Sequence, residues 1–266
     1  LGLTGILADF NPLAPVVSVP LFRFPIGSWN ITVSNHMFMV TVTGVLLLVW
    51  LPLAVWQKRL VPSGWPNLVE AVCVYLREQM ARPLLQEHTD RYVGFVWTMF
   101  FFILSLNLLA MVPTEKIIYL VTGKENHFGG PATANIWITG AMACVTFLVT
   151  HISGIKQQGF LHYFAHFAPP APWWATPLVY FMEVVSAFVK PFTLAIRLFA
   201  NILGGHVLPA TLIGLIAIFQ SYLVAGSSVT MVVFLAFLDL LIAFIQAYIF
   251  AFLTVVYIGA ALNPEH

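Results

Sequence analysis

Between Arg197 and Asp239 the sequence holds no aspartate, glutamate, lysine or arginine, and the nearest charge before Arg197 is Lys190. From about 176 to 262 the chain is apolar almost throughout. A helix needs about 20 such residues to cross the hydrocarbon of a bilayer. A soluble domain could not keep this stretch out of water. A membrane β-barrel would need strands of alternating polarity, which the runs lack. Backbone groups in lipid must be paired within their own element, so a helical bundle remains. Composition agrees: of 266 residues 60% are hydrophobic and 8% charged, against about 25% charged in soluble domains. The expectation is an all-α polytopic membrane protein, one membrane domain over 1–266.

About five spanning segments can be placed. Residues 1–33 carry Asp9 and Arg23 and are broken by Pro12, Pro15, Pro20 and Pro25, which reads as an extramembrane or surface segment. Three spans follow within 34–153, at about 34–56, 91–113 and 132–153. Between the first two, residues 66–85 interleave Leu68, Val72, Leu76 and Met80 with Glu70, Arg77, Glu78 and Arg82. That mixture suits an interfacial amphipathic helix. Residues 176–262 are too long for two upright spans, and predict a hairpin of two long tilted helices turning near VAGSS, residues 224–228.

Basic residues tend to face the cytoplasm. Lys58, Arg59, Arg77, Arg82 and Lys156 fall on one side of this arrangement, Lys116 and Lys124 on the other. The bias places 57–90 inside, the N-terminus outside and the C-terminus inside. The first residue is Leu1, and no standard signal peptide is recognisable.

Several functions find no support. Net charge is +1 with no basic patch, so no nucleic-acid partner is expected. Cys73 and Cys144 form no CxxC motif. His151, His162 and His166 lack an acidic partner at ligand spacing, so no metal is expected, nor any cofactor. There is no phosphate-binding GxxxxGK[ST] loop, so no catalysis is expected of the chain on its own.

The polar residues of the last third form a pattern. Glu183, Lys190 and Arg197 are seven apart, close to two helical turns, and Asn201 lies one turn beyond Arg197. Asp239 and Gln246 repeat the interval on the other long helix, while His206 falls on roughly the opposite face from Arg197. An arginine at membrane depth costs from about 2.5 kcal/mol upward and stays charged. It is either a fixed cation on an ion pathway or half of a structural pair with Glu183 or Asp239. Glu183, His206 and Asp239 can titrate and suit a proton relay; Gln246 can only hydrogen-bond. Gly204 and Gly205 permit close helix packing or a bend. Pro191 opens a helix or begins one.

RLFANILGGH at 197–206, preceded by MEVVSAFVKPFTLAI and followed by FLDLLIAFIQAYIFAFLTVVY, closely resembles subunit a of the F-type ATP synthase. Weaker echoes are NHM at 35–37, FFILSLNLLAMVP at 101–113 and TANI at 133–136. The resemblance implies a static subunit whose tilted hairpin, 176–262, faces a rotating ring of c subunits. Two half-channels would deliver protons to the ring carboxylates and couple their flow to rotation and ATP synthesis. Arg197 matches the family's essential arginine, with Asn201 and Gln246 beside it. His206 and Asp239 match a pair lining the entry half-channel, with acid and histidine exchanged relative to some relatives. Glu183 matches a carboxylate of the other half-channel. Lys190, Pro191, Gly204 and Gly205 are supporting positions. The implied partners are the c ring, the b-subunit stator, the remaining F0 and F1 subunits, the proton and the bilayer. The implied membrane is the bacterial plasma (inner) membrane, with the mitochondrial inner membrane as alternative. A sodium-driven form of the motor is the second reading. An unrelated secondary transporter is disfavoured, because no matching pair of broken spans repeats.

Overall fold

The computed structural model describes residues 17–26, 29–55, 64–112, 114–123, 129–165 and 172–262. Asp9, Pro12, Pro15, Lys58, Arg59, Lys124, Glu125 and His166 lie outside the described residues. Among the described residues, five helical runs are long and apolar enough to cross a membrane. The chain falls into two compact units. One gathers residues 1–44, 104–138 and 197–246; the other gathers 45–103, 139–196 and 247–266. Each long helical run gives part of its length to each unit.

The first unit opens with a strand pair that the sequence reading did not anticipate. Strand β1 (Pro20–Ile26) runs antiparallel to β2 (Trp29–Ser34), with Phe22 opposite Val33 and a register shift between Pro20 and Phe22. Pro20 and Pro25 are compatible with a two-stranded ribbon, because each strand there has a free edge that asks for no donor. Asn35 anchors the ribbon: the Val19 amide donates to its side-chain oxygen at 3.1 Å and its own amide donates to the Val19 carbonyl at 3.0 Å. Ser34 then accepts the Met37 amide at 3.4 Å, a side-chain cap that starts α1 (Asn35–Val55). Buried Ala110, Ala134 and Ile202 form a small apolar cluster in this unit.

The second unit holds most of the run Trp65–Met111. It begins at Gly64, φ +75°, with Pro66 in the first turn, where a missing N–H costs nothing. Helix α2 (Trp65–Tyr75) passes through a π turn, Leu76–Ala81, into the short α3 (Arg82–Leu85). Gln86, φ 47°, then ends the helical path, and α4 (Thr89–Met111) starts afresh. This amphipathic segment has two distinct faces. Leu76, Met80, Ala81 and Leu85 are buried. Arg77 reaches the Asp90 carboxylate at 2.6 Å and Arg82 pairs with Glu78 on the exposed side.

After α5 (Thr114–Thr122) come α6 (Ile136–Gln158) and the short α7 (Phe160–Ala165), joined through Gly159 at φ +84°. Two helices finish the chain, α8 (Thr176–Phe219, 44 residues) and α9 (Tyr222–Leu262, 41 residues). Each is one uninterrupted helix, which excludes two short helices joined tightly. At about 1.5 Å per residue, α8 is roughly 66 Å long. The link between them is Gln220 and Ser221, with Gln220 at φ 46°. The VAGSS stretch, expected to turn, is instead helical within α9. Threonines in these helices return their hydroxyls to the carbonyl one turn back, as at Thr43, Thr193, Thr230 and Thr254, so each is tolerated in an apolar setting. In the second unit α9 buries a face of Ala247, Ala251, Thr254, Val255 and Ile258. Small residues there let helices approach closely.

Candidate functional site

In the first unit α8 presents Arg197 on an exposed face, beside exposed Ile196. Among the described residues Arg197 takes part in no ion pair, so the structural pair considered from the sequence is not formed. Asn201, one turn on, is half-buried. Neighbouring Leu198 and Ile202 are buried, which fixes which face of α8 turns inward and leaves the guanidinium facing out.

The two glycines prove unlike. A Cβ on Gly204 would meet nothing within 4 Å. A Cβ on Gly205 would lie 3.0 Å from Oδ2 of Asp239 and 3.1 Å from its Cγ and Oδ1. The carboxylate of α9 therefore rests close on bare backbone of α8, where even a methyl group would press on it and a larger side chain would push it aside. Helix α8 continues through both glycines, so packing at Gly205 is their structural role and bending is not. His206 is half-buried. No hydrogen bond joins it to Asp239 among the described residues. The Gln246 side chain is buried at 4% exposure, and its Nε2 has no acceptor among the described residues. A buried donor left unpaired costs about 1–3 kcal/mol.

The first unit also holds a buried polar cluster that the sequence reading touched only as family echoes. Asn35, His36, Asn107 and Thr133 are all at most 2% exposed. Thr133 donates to Asn107 Oδ1 at 3.5 Å, and Asn135 Nδ2 lies 3.5 Å from His36 Nδ1. His36 Nε2 and Asn107 Nδ2 have no hydrogen-bond partner among the described residues. The available signal was a lone asparagine inside the apolar run FFILSLNLLAMVP, together with NHM and TANI.

Glu183, Lys190 and Pro191 belong to the second unit. Lys190 donates to Glu183 Oε1 at 3.3 Å, and its ammonium stands 5.6 Å from the centre of the Tyr257 ring on α9. Seven-residue spacing thus brings Glu183 and Lys190 into an ion pair. Pro191 sits within continuous α8, half-buried. Nearby, His151 of α6 and Tyr163 of α7 share a 2.6 Å hydrogen bond, a pairing that the sequence reading, which weighed His151 only as a metal ligand, did not find. Burial, helped by the Glu183 carboxylate, pushes the Tyr163 phenol up to about 12. Of the histidines considered for metal, no group of three metal-ligating side chains forms among the described residues.

The chain matches the family described as ATP synthase A chain over residues 37–259. It is 33% identical over 265 residues to ATP synthase subunit a of Chloroherpeton thalassium, covering 97% of this chain and 74% of that protein. It is 37% identical over 240 residues to the Anaeromyxobacter dehalogenans subunit, covering 89% of this chain and 59% of that one. The Myxococcus xanthus subunit is 35% identical over 246 residues, covering 90% and 76%.

Proposed function

The chain belongs to the ATP synthase A chain family, and we propose that it is the static, non-catalytic proton-conducting subunit of a bacterial F-type motor. It is a multi-pass membrane protein with five apolar helices. The observation that carries the mechanism is the exposure of Arg197 on α8. A guanidinium facing lipid is too costly to keep, so this face meets another protein and water. A ring of c subunits, each with a buried carboxylate, fits that requirement. Arg197 favours the ionised carboxylate as it passes and repels a hydronium that would leak past it. Asn201 and Gln246 add hydrogen-bonding groups on the two helices. Asp239, seated on Gly205, and His206 line one half-channel. Glu183, held by Lys190, lines the other. The charges of Arg77, Arg82 and Lys156 put the second half-channel on the cytoplasmic side. A b-subunit stator and the F1 sector complete the machine in the bacterial inner membrane.

The assembled complex in vesicles tests this through ATP-driven acidification. Arg197→Ala should assemble, hold the same subunit composition and pump no protons. Normal pumping by that variant would return Arg197 to a structural role. If Arg197→Ala does not assemble, Arg197→Lys keeps the charge while losing the bidentate fork, and its pumping decides the matter.

A further inference from the structure

In the second unit Glu183, Ala187, Lys190 and Leu194 follow one another along α8 at intervals of four, three and four, which is one stripe of the helix. Ala187 and Leu194 are buried and the two charged residues are half-buried, so the stripe faces inward. Seven residues of helix separate the Cα atoms of the charged pair by about 10 Å, and both side chains must reach along the helix to meet at 3.3 Å. Holding two long side chains in one geometry costs rotamer freedom, and a half-exposed ion pair returns little. Left to itself such a pair would spend much of its time apart. A third group lies beside it. The Lys190 ammonium is 5.6 Å from the centre of the Tyr257 ring on α9, within the roughly 6 Å over which an aromatic face attracts a cation. Tyr257 is itself half-buried, on a turn of α9 where Thr254, Val255 and Ile258 are buried, so its side chain has little room to turn away. Among the described residues Lys190 has no other acid within ion-pair distance.

We infer that Tyr257 is a positioning residue of the ion path: its aromatic face anchors the Lys190 ammonium, and Lys190 holds the Glu183 carboxylate at a set place on α8. The inference rests on the reading of Glu183 as an ion-path residue. Tyr257 takes no proton. It acts through Lys190, and a carboxylate that exchanges protons gains from being kept in one geometry. When Glu183 gives its proton to water, the carboxylate finds the ammonium where Tyr257 has kept it, and Lys190 retains its own proton throughout. Without that anchor the flexible lysine stem would carry its charge toward the nearest water. The contact also gives α9 a part in placing a group on α8, which a pair confined to one helix would not have.

The test is passive proton flux through the assembled complex in phospholipid vesicles, with F1 stripped and a potassium diffusion potential as driving force. Lys190→Met should slow flux about tenfold, less than the roughly 100-fold that misplacing a reacting group can cost, because water can bridge a wandering carboxylate. Tyr257→Leu, which removes the aromatic face, should slow it about fivefold. The conservative variants Lys190→Arg and Tyr257→Phe should recover most of what Lys190→Met and Tyr257→Leu lose. The double variant of Lys190→Met with Tyr257→Leu should be no slower than Lys190→Met alone, since the two residues act in series. Losses that multiply would show Tyr257 acting elsewhere, as a packing residue, and overturn the inference. Glu183→Gln is run alongside. If it slows flux while Tyr257→Leu conducts like the parent, the positioning role falls and the ion-path reading of Glu183 stands. If Glu183→Gln itself conducts like the parent, that reading falls and takes the positioning role with it. Should Tyr257→Leu fail to assemble, Lys190→Met decides: flux like the parent's breaks the chain from tyrosine to carboxylate, and slowed flux recovered by Lys190→Arg upholds it.

Discussion

The run Trp65–Met111 and the two long helices α8 and α9 are about equally apolar, yet the chain treats them differently. Half of the most apolar window of Trp65–Met111 is buried within the chain, against 11% for α8 and 11% for α9. In lipid, exposed leucine or phenylalanine says little, because the solvent is as apolar as the side chain. Polar content makes the difference informative. Four of the charges of Trp65–Met111 are met close at hand, Arg77 by Asp90 and Arg82 by Glu78. On α8 the exposed Arg197 has no ion pair among the described residues. The first region is finished by its own sequence. The second is a surface whose chemistry is completed by something else.

That contrast can be broken most forcefully at the glycines. Gly205→Val should abolish ATP-driven pumping, because its side chain takes the place of the Asp239 carboxylate. Gly204→Ala, with open space around it, should pump within about twofold of the parent and gain helix propensity of up to about 1 kcal/mol. Equal damage from both would show that the contact with Asp239 is not what the glycines provide. Where α9 packs on the finished region, Gly259→Ala should act on stability alone. Its Cβ would come within 2.9 Å of the Leu84 carbonyl, and overpacking of this kind costs about 1–3 kcal/mol, readable as earlier dissociation of the complex in a detergent melt. A smaller effect belongs to Arg82→Ala. The pair with Glu78 is exposed, so its loss should move the melt by less than about 1 kcal/mol.

Alkaline pH gives a signal of another kind, confined to one end of the pH range. Tyr163 is held up to about 12 in the folded chain against about 10 for a free phenol. Folding therefore retains a proton that the unfolded chain releases. The contribution is complete below about pH 10 and falls away as pH rises toward about 12. Tyr163→Phe should flatten that alkaline loss in the melting profile. An unchanged profile would remove Tyr163 as its source.

Much of this was legible from the residues. Run length alone predicts the five spans and the two overlong helices, because hydrocarbon thickness is a ruler that side-chain detail does not alter. The spacing of Glu183, Lys190 and Arg197 suits one continuous helix, and α8 carries all three. The failures share a cause. VAGSS carries the glycine and serines of a turn, yet helix α9 runs through it, and the break falls at Gln220–Ser221, where local propensity gives no sign. Gly204 and Gly205 are indistinguishable in sequence, since only the rotation of α8 decides which meets Asp239. The Pro20–Ile26 strand hides behind two prolines that a free sheet edge accepts. The His151–Tyr163 bond depends on the fold-back at Gly159, and twelve residues of separation conceal it.

The two-residue link at Gln220–Ser221 also has a mechanical consequence. With helix α8 ending at Phe219 and α9 beginning at Tyr222, the joined ends have almost no slack, so a displacement of one end along its axis is passed to the other and not absorbed between them.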